Sequence, residues 1–316
     1  GLAWYQGAAG PYWGHNALLR LDVFAAHARL PELPGAPPLG GPILSHDQVE
    51  AALMSAAGWE VRLLPEEGGS YEANPPDLAE FIRRDLRWCL GNLQYLKLLG
   101  RPGFAPMGRF QLANAVAMYA GAPAAMLLLL CGVAEALAGG SGAFCFAGFL
   151  VGIGLGALPR LLGVAEALAT RRGRARYGGA WRLLAGALCD LLFALLVWPV
   201  VMLAETLFIA RLITSRGQRR AAGWGGQARQ PRGLGFRTAC RPFRGTMAAG
   251  AALLALLGAA APAALPWAAV PFGAFVLSGP LAWALGHQGL GAFMRRHRLC
   301  GTPEEFAPDP VLRAAG

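Results

Sequence analysis

Charge is scarce in this 316-residue chain: 15% of residues are charged against 55% hydrophobic, too apolar a balance for an ordinary soluble protein. Lysine is nearly absent, since Lys97 is the one exception among 28 basic residues, all others being arginine. A formal charge of +10 would suit nucleic acid, but the arginines flank apolar runs without interleaved aromatics. Loops beside a membrane explain them better, and a nucleic-acid partner is set aside. No Cys-x-x-Cys pair occurs among the six cysteines, which argues against a zinc site and a disulfide framework. Asp-x-Asp and a glycine-rich phosphate loop are also missing, so these residues carry no recognisable device for a nucleotide and its metal. The first residue is Gly1 rather than Met and no signal peptide precedes the first domain, so the expectation is a fragment whose amino-terminal part is missing.

What is present divides in two. Residues 1–100 hold 11 acids and 7 bases; residues 101–316 hold 7 acids and 21 bases. The first part reads as a mildly acidic soluble domain, with a Pro/Gly loop at 31–42, a strand or short helix at 17–23, a half-buried strand starting at Trp59, and helices from Ser45 and from Asn74 to about Leu99. The second part carries apolar runs at 110–137, 143–158 (extended to Val164), 180–214, 247–261 and 266–286, of which the first and third exceed the roughly 20 residues that span a bilayer. Residues 171–182 carry five Arg and no acid, residues 211–244 carry nine Arg and no acid, and Arg295, Arg296 and Arg298 follow the last run. The positive-inside rule puts these three segments in the cytoplasm and the uncharged turns at 138–142 and 263–265 outside. The 180–214 segment then has both ends inside, so it is read as a hairpin bent at Pro199 or as a partly interfacial helix. Asp190 and Glu205 lie within it, and intramembrane carboxylates are functional candidates unless they simply face water.

Three clusters carry chemistry. In Leu44-Ser45-His46-Asp47-Gln48-Val49-Glu50, capping by Ser45 with Gln48 three residues on would open a helix and put Asp47 in its first turn. Free N–H groups and the helix dipole stabilise a carboxylate there, and such a group can accept a proton from a bound hydroxyl; the plain alternative is an acid that merely complements the dipole. His46 and Glu50 also have the i, i+4 spacing of metal ligands, without a third ligand evident. The second cluster is Arg83-Arg84-Asp85-Leu86-Arg87-Trp88-Cys89-Leu90-Gly91-Asn92. Leu78, Ile82, Leu86, Cys89 and Leu93 make its core stripe, while Arg84, Arg87, Trp88 and Gly91 share the other face. Two arginines, a flat ring and a gap suit a diphosphate beside a stacked sugar; an arginine-rich face with an interfacial Trp is the rival reading. The third cluster, Tyr12-Trp13-Gly14-His15-Asn16-Ala17, fits a sugar subsite or a tight turn packed on aromatics.

In order, Tyr12-Trp-Gly-His-Asn-Ala, Ile43-Leu-Ser-His-Asp-x-Val-Glu-Ala-Ala-Leu-Met, Gly69-Ser-Tyr-Glu and Arg83-Arg-Asp-x-Arg-Trp-Cys-x-Gly-Asn-Leu resemble the glucans biosynthesis glucosyltransferase H family, the inner-membrane synthases of osmoregulated periplasmic glucans. The likeness continues more loosely through Tyr177-Gly-Gly-x-Trp181 and Thr302-Pro-Glu-Glu-Phe-x-Pro. More remotely the chain is similar to cellulose and hyaluronan synthases, inverting processive enzymes of the same superfamily. The resemblance implies that Asp47 ends the Thr-Glu-Asp motif as general base, that Arg84 and Arg87 meet the donor diphosphate, and that Trp88 stacks under the acceptor. It further implies that Gly14, His15 and Asn16 shape the acceptor pocket. Arg84 stands where the wider superfamily has Gln in Gln-x-x-Arg-Trp, and Leu90 where a polar residue is expected.

The expected architecture is therefore the carboxy-terminal half of an α/β glycosyltransferase A-type domain over residues 1–104. A polytopic, all-α membrane domain over 105–290 and a cytoplasmic tail over 291–316 would follow. The expected activity is inverting transfer of glucose from UDP-glucose to a growing β-glucan, in a multi-pass protein of the bacterial inner membrane with its catalytic domain in the cytoplasm. Mg or Mn would assist the departing diphosphate, with ligands upstream of Gly1 and none in these residues. The rivals are another processive polysaccharide synthase and a non-enzymatic membrane transport component.

Overall fold

A computed structural model describes residues 2–12, 14, 16–65, 71–72, 74–214, 230, 233–308 and 310. The described chain is helical: α1 (Leu2–Gln6), α2 (Leu21–His27), α3 (Asp47–Ala56), α4 (Leu78–Gln94), α5 (Pro106–Leu137), α6 (Ala143–Ala169), α7 (Arg171–Arg176), α8 (Ala180–Thr214), α9 (Phe236–Cys240), α10 (Arg244–Ala260), α11 (Leu265–Leu285), α12 (Gln288–His297) and α13 (Pro303–Phe306). Among the described residues there is no β-strand. The alternation beginning at Trp59 yields only a single bridge between Ala9 and Val61, and another bridge joins Leu33 to Gly41. An alternating pattern becomes a ladder only where partner strands lie alongside, and none lies within the described residues. The α/β expectation for residues 1–104 is thus not met in what is described, whereas the helical membrane part is.

The chain falls into two compact units, one formed by Gly1–Ala73, Arg83–Ala122 and Glu205–Gln227, the other by Asn74–Ile82, Pro123–Ala204 and Ala228–Gly316. The first unit is organised by α3 and the lower part of α5. Val49 and Ala52 of α3 pack with Leu112, Ala115 and Val116 of α5, joined by Leu33, Ile43, Tyr95, Leu98 and Phe104. Positions 112, 115, 116 and 119 recur at helical spacing, so one stripe of α5 is buried here. A Cβ at Gly108 would stand 3.0 Å from that of Ala52, so glycine lets the base of α5 close on α3.

The second unit is a helical bundle. Phe146, Phe149, Val200, Leu257, Phe272 and Phe275 are at its centre, and the Phe146 and Phe272 rings meet edge-on at 6.1 Å. Gly250 brings α10 against the α11 backbone, where a Cβ would come within 2.7 Å of the Phe272 carbonyl oxygen.

Among the described residues, five helical segments are long and apolar enough to cross a membrane: Pro106–Leu137, Ala143–Ala169, Ala180–Thr214, Phe236–Ala260 and Pro262–Leu285. Of the two readings of residues 180–214, the hairpin bent at Pro199 is corrected: α8 is one helix of 35 residues with Pro199 inside it. Proline forfeits one backbone hydrogen bond, but Pro199 is fully buried and its neighbours Trp198 and Val200 pack into the core, so the helix continues through it. At 1.5 Å per residue, α8 is about 50 Å long, more than a roughly 30 Å hydrocarbon layer accommodates upright.

Candidate active site

The start of α3 is held by α4 rather than by its own cap. No side-chain cap bond closes α3, and its N-cap is His46 rather than Ser45, so the expected capping box does not form. Ser45 is occupied elsewhere. A Cβ on Gly91 would come within 2.7 Å of the Ser45 Cβ and 2.8 Å of its backbone nitrogen, so only glycine at this point of α4 permits the approach. The gap read beside Trp88 is therefore filled by Ser45 and is not an open pocket. One turn on, the Tyr95 hydroxyl donates to the Ser45 carbonyl at 2.7 Å. Gln94 accepts from the Leu44 N–H at 2.9 Å and donates to the Pro42 and Pro38 carbonyls at 3.2 and 3.3 Å. Both side chains are buried, where unmade bonds would cost about 1–3 kcal/mol each, so this clamp sets the register of the 38–46 loop against α4.

Asp47 does open α3, in its first turn, despite the different cap. Gly14 lies directly against it: a Cβ there would fall within 2.7 Å of the Asp47 carboxyl carbon, and the φ of +80° is itself a glycine conformation. Asn16 follows with φ 54°, the left-handed region that asparagine tolerates, and its side chain is exposed. His15, and Trp13 beside it, lie outside the described residues. Tyr12 and Tyr95 both face this carboxylate cluster. Burial, then the charges of Glu50 and Asp47, push the Tyr12 phenol above its ordinary range, and burial with the Asp47 charge raises Tyr95 further. Both therefore remain hydroxyl donors at neutral pH.

His46, Asp47 and Glu50 place one ligand atom each within 4.8 Å of one another. His46 Nδ1 stands 3.2 Å from Asp47 Oδ1 and 3.0 Å from Glu50 Oε1, in ion-pair range of both though not aligned as a hydrogen bond. Asp47 thus supplies a third ligand atom beside the His46–Glu50 pair, and separations near 3 Å are compatible with ligands of a single cation.

On α4 the second cluster separates by exposure. The Arg84 guanidinium lies over the Trp88 ring at 4.7 Å, and Trp88 is 39% exposed. Arg87 is 6% exposed, buried rather than displayed beside Arg84. Cys89 is fully buried on the core stripe, as its spacing predicts. Asp85 was not singled out from sequence, yet it accepts a 3.2 Å bond from Tyr119 of α5 and neighbours Glu205 of α8. Burial pushes its carboxyl above the usual carboxylate range. Its signal was available: Asp85 is a lone acid among Arg83, Arg84 and Arg87.

Gly14 and Asp47 are thus in contact, Ser45 and Gly91 are in contact, and Trp88 lies one helical turn from Gly91. The three sequence clusters meet at one place within the first unit. A profile described as Glycosyl transferase family group 2 matches residues 3–285. The glucans biosynthesis glucosyltransferase H of Xylella fastidiosa is 34% identical over 99% of this chain and 51% of its own length. That of Bradyrhizobium diazoefficiens is 39% identical over 72% of the chain and 33% of its own, and that of Caulobacter vibrioides 33% over 100% and 50%. The chain spans about half the length of the curated relatives it matches, and no solved structure matches it. On this match, which covers most of the sequence, the chain belongs to glycosyl transferase family group 2.

Proposed function

We propose that residues 1–104 form the acceptor side of a membrane β-glucosyltransferase that passes glucose from UDP-glucose to a growing glucan with inversion. The supporting observation is the convergence of Gly14, Asp47 and the Gly91 end of the Arg84–Trp88 helix on one clamp. In this reading a sugar rests on the Trp88 ring, and its hydroxyl gives a proton to Asp47. Tyr12 and Tyr95, held protonated, border that carboxylate. Gly14 permits the acceptor loop to close over it, with His15 and Asn16 continuing the pocket. Arg84 and the buried Arg87 supply the positive field for a departing diphosphate. The sheet of the A-type domain and any Mg or Mn on the diphosphate are proposed to come from outside residues 1–316, in a protein of the relatives' length. Another processive synthase shares this site, and product linkage separates the two.

Trp88→Ala removes the stacking surface. By analogy with base stacking, worth about 1–3 kcal/mol, acceptor use should fall roughly ten- to hundredfold in membranes carrying a protein of the relatives' length. Intact transfer with weakened membrane association would instead make Trp88 an interfacial anchor.

For topology, four crossings by α5, α6, α10 and α11 keep all three arginine-rich segments inside, provided that α8 lies partly in the interface rather than crossing. We propose accordingly an inner-membrane protein with its catalytic face toward the cytoplasm. Reporter fusions at Ala175, Gly225 and Gly301 should report cytoplasm and one at Gly140 periplasm. A periplasmic signal at Gly225 would make α8 a full span.

A further inference from the structure

The sequence features left without a role, the Tyr177-Gly-Gly segment and the tail from Arg298, meet in the second unit. Arg160, Tyr177, Arg182, Asp190, Arg298 and Cys300 line a cavity of about 290 Å³ between α6, the start of α8 and the tail. The tail is anchored there: Cys300 Sγ contacts the Gly186 carbonyl at 3.2 Å, and the Arg298 guanidinium lies over the Phe306 ring at 4.8 Å. Gly178, at φ +78°, leaves room for two guanidinium groups to converge. A Cβ on it would be 2.9 Å from Arg298 Nη1 and 3.2 Å from Arg182 Nη1.

The acid that lines the cavity and the two glutamates of the tail are already engaged. Asp190 pairs with Arg160 at 3.6 Å, Glu304 with Arg176 at 3.4 Å and Glu305 with Arg295 at 3.7 Å. Among the described residues no carboxylate pairs with Arg182 or Arg298. Two like charges held together repel unless an anion lies between them, and a guanidinium pair matches a phosphate in shape as well as charge. The remaining wall consists of Val164, Ala167, Leu183 and Ala187, contributed by α6 and α8, both long and apolar enough to sit in a bilayer. A cavity with a cationic mouth and an aliphatic wall between membrane helices has the form of a lipid headgroup site.

We infer that this cavity binds the phosphate of an anionic phospholipid, with Arg182 and Arg298 on the headgroup and its glycerol end against Val164 and Leu183. The site is separate from the acceptor site and does not depend on the proposed activity. The protein would be reconstituted in phosphatidylcholine containing phosphatidylglycerol and re-extracted in mild detergent, and its bound lipid measured by mass spectrometry. Wild type should retain phosphatidylglycerol in preference to phosphatidylcholine. Arg298→Gln should lower that enrichment roughly fivefold, and the Arg182→Gln, Arg298→Gln pair roughly twenty-five-fold. A control pair that does not line the cavity, Arg237→Gln with Arg241→Gln, should leave it unchanged. Because Arg298 lies on the tail, its single variant keeps the test valid if the double variant fails to insert. Undiminished enrichment in Arg298→Gln, or equal loss in the control pair, overturns the site. Complete displacement of phosphatidylglycerol by millimolar inorganic phosphate would make the ligand a free phosphate and overturn the lipid assignment.

Discussion

Gly91→Ala should cut glucose transfer by about a hundredfold although alanine is the better helix former. Intrinsic propensity favours the substitution by about 0.5–1 kcal/mol. Against this, the new methyl would lie within 2.8 Å of three Ser45 atoms, one of them backbone nitrogen. Overpacking of that kind costs about 1–3 kcal/mol or is relieved by moving α4 away from the 38–46 loop. Gln94 and Tyr95 resist such movement through their bonds to Leu44, Pro42, Pro38 and Ser45, so the displacement is passed to Asp47 two residues on. A misplacement near 1 Å typically costs about two orders of magnitude in rate. Ser45→Gly in the same protein removes two of the three overlapping atoms and should restore part of the activity, a coupling that a double-mutant cycle measures. Additive effects of the two substitutions would show that the contact does not position the site.

The parts of this fold that were legible from sequence are those with local causes. Apolar runs longer than a bilayer needs became the long helices, because such a run leaves its backbone few alternatives to a helix. The stripe through Cys89 followed from helical spacing alone, whereas the first-turn place of Asp47 was reached through a capping box that does not form. The clamp was not legible. Nothing local in Gln94 or Tyr95 distinguishes them from any polar residue ending a helix, since their partners lie about 50 positions earlier in the chain. Ser45 shows the converse error: its spacing to Gln48 matches a capping box, but a tertiary contact with Gly91 claimed it first. Pro199 misled for a similar reason, because proline breaks a helix only where the surrounding packing does not hold it, and here it is buried among core side chains.

Asp47→Asn is the direct test of the acceptor site. Asparagine keeps the shape of the side chain and is tolerated at a helix start, so insertion should be normal and stability should change by only a few tenths of a kcal/mol. It cannot take the acceptor proton, and general-base catalysis contributes about 10²–10⁴-fold. Asp47→Glu should recover little, since the longer side chain carries the oxygen about one bond away and Gly14 leaves no room on that side. The measurement is incorporation of radiolabelled glucose from UDP-glucose into polymer by membranes carrying a protein of the relatives' length. Membranes with normally inserted Asp47→Asn should incorporate at least a hundredfold less than wild type. Near wild-type incorporation by that variant would contradict the account and leave Asp47 as a partner of the helix dipole.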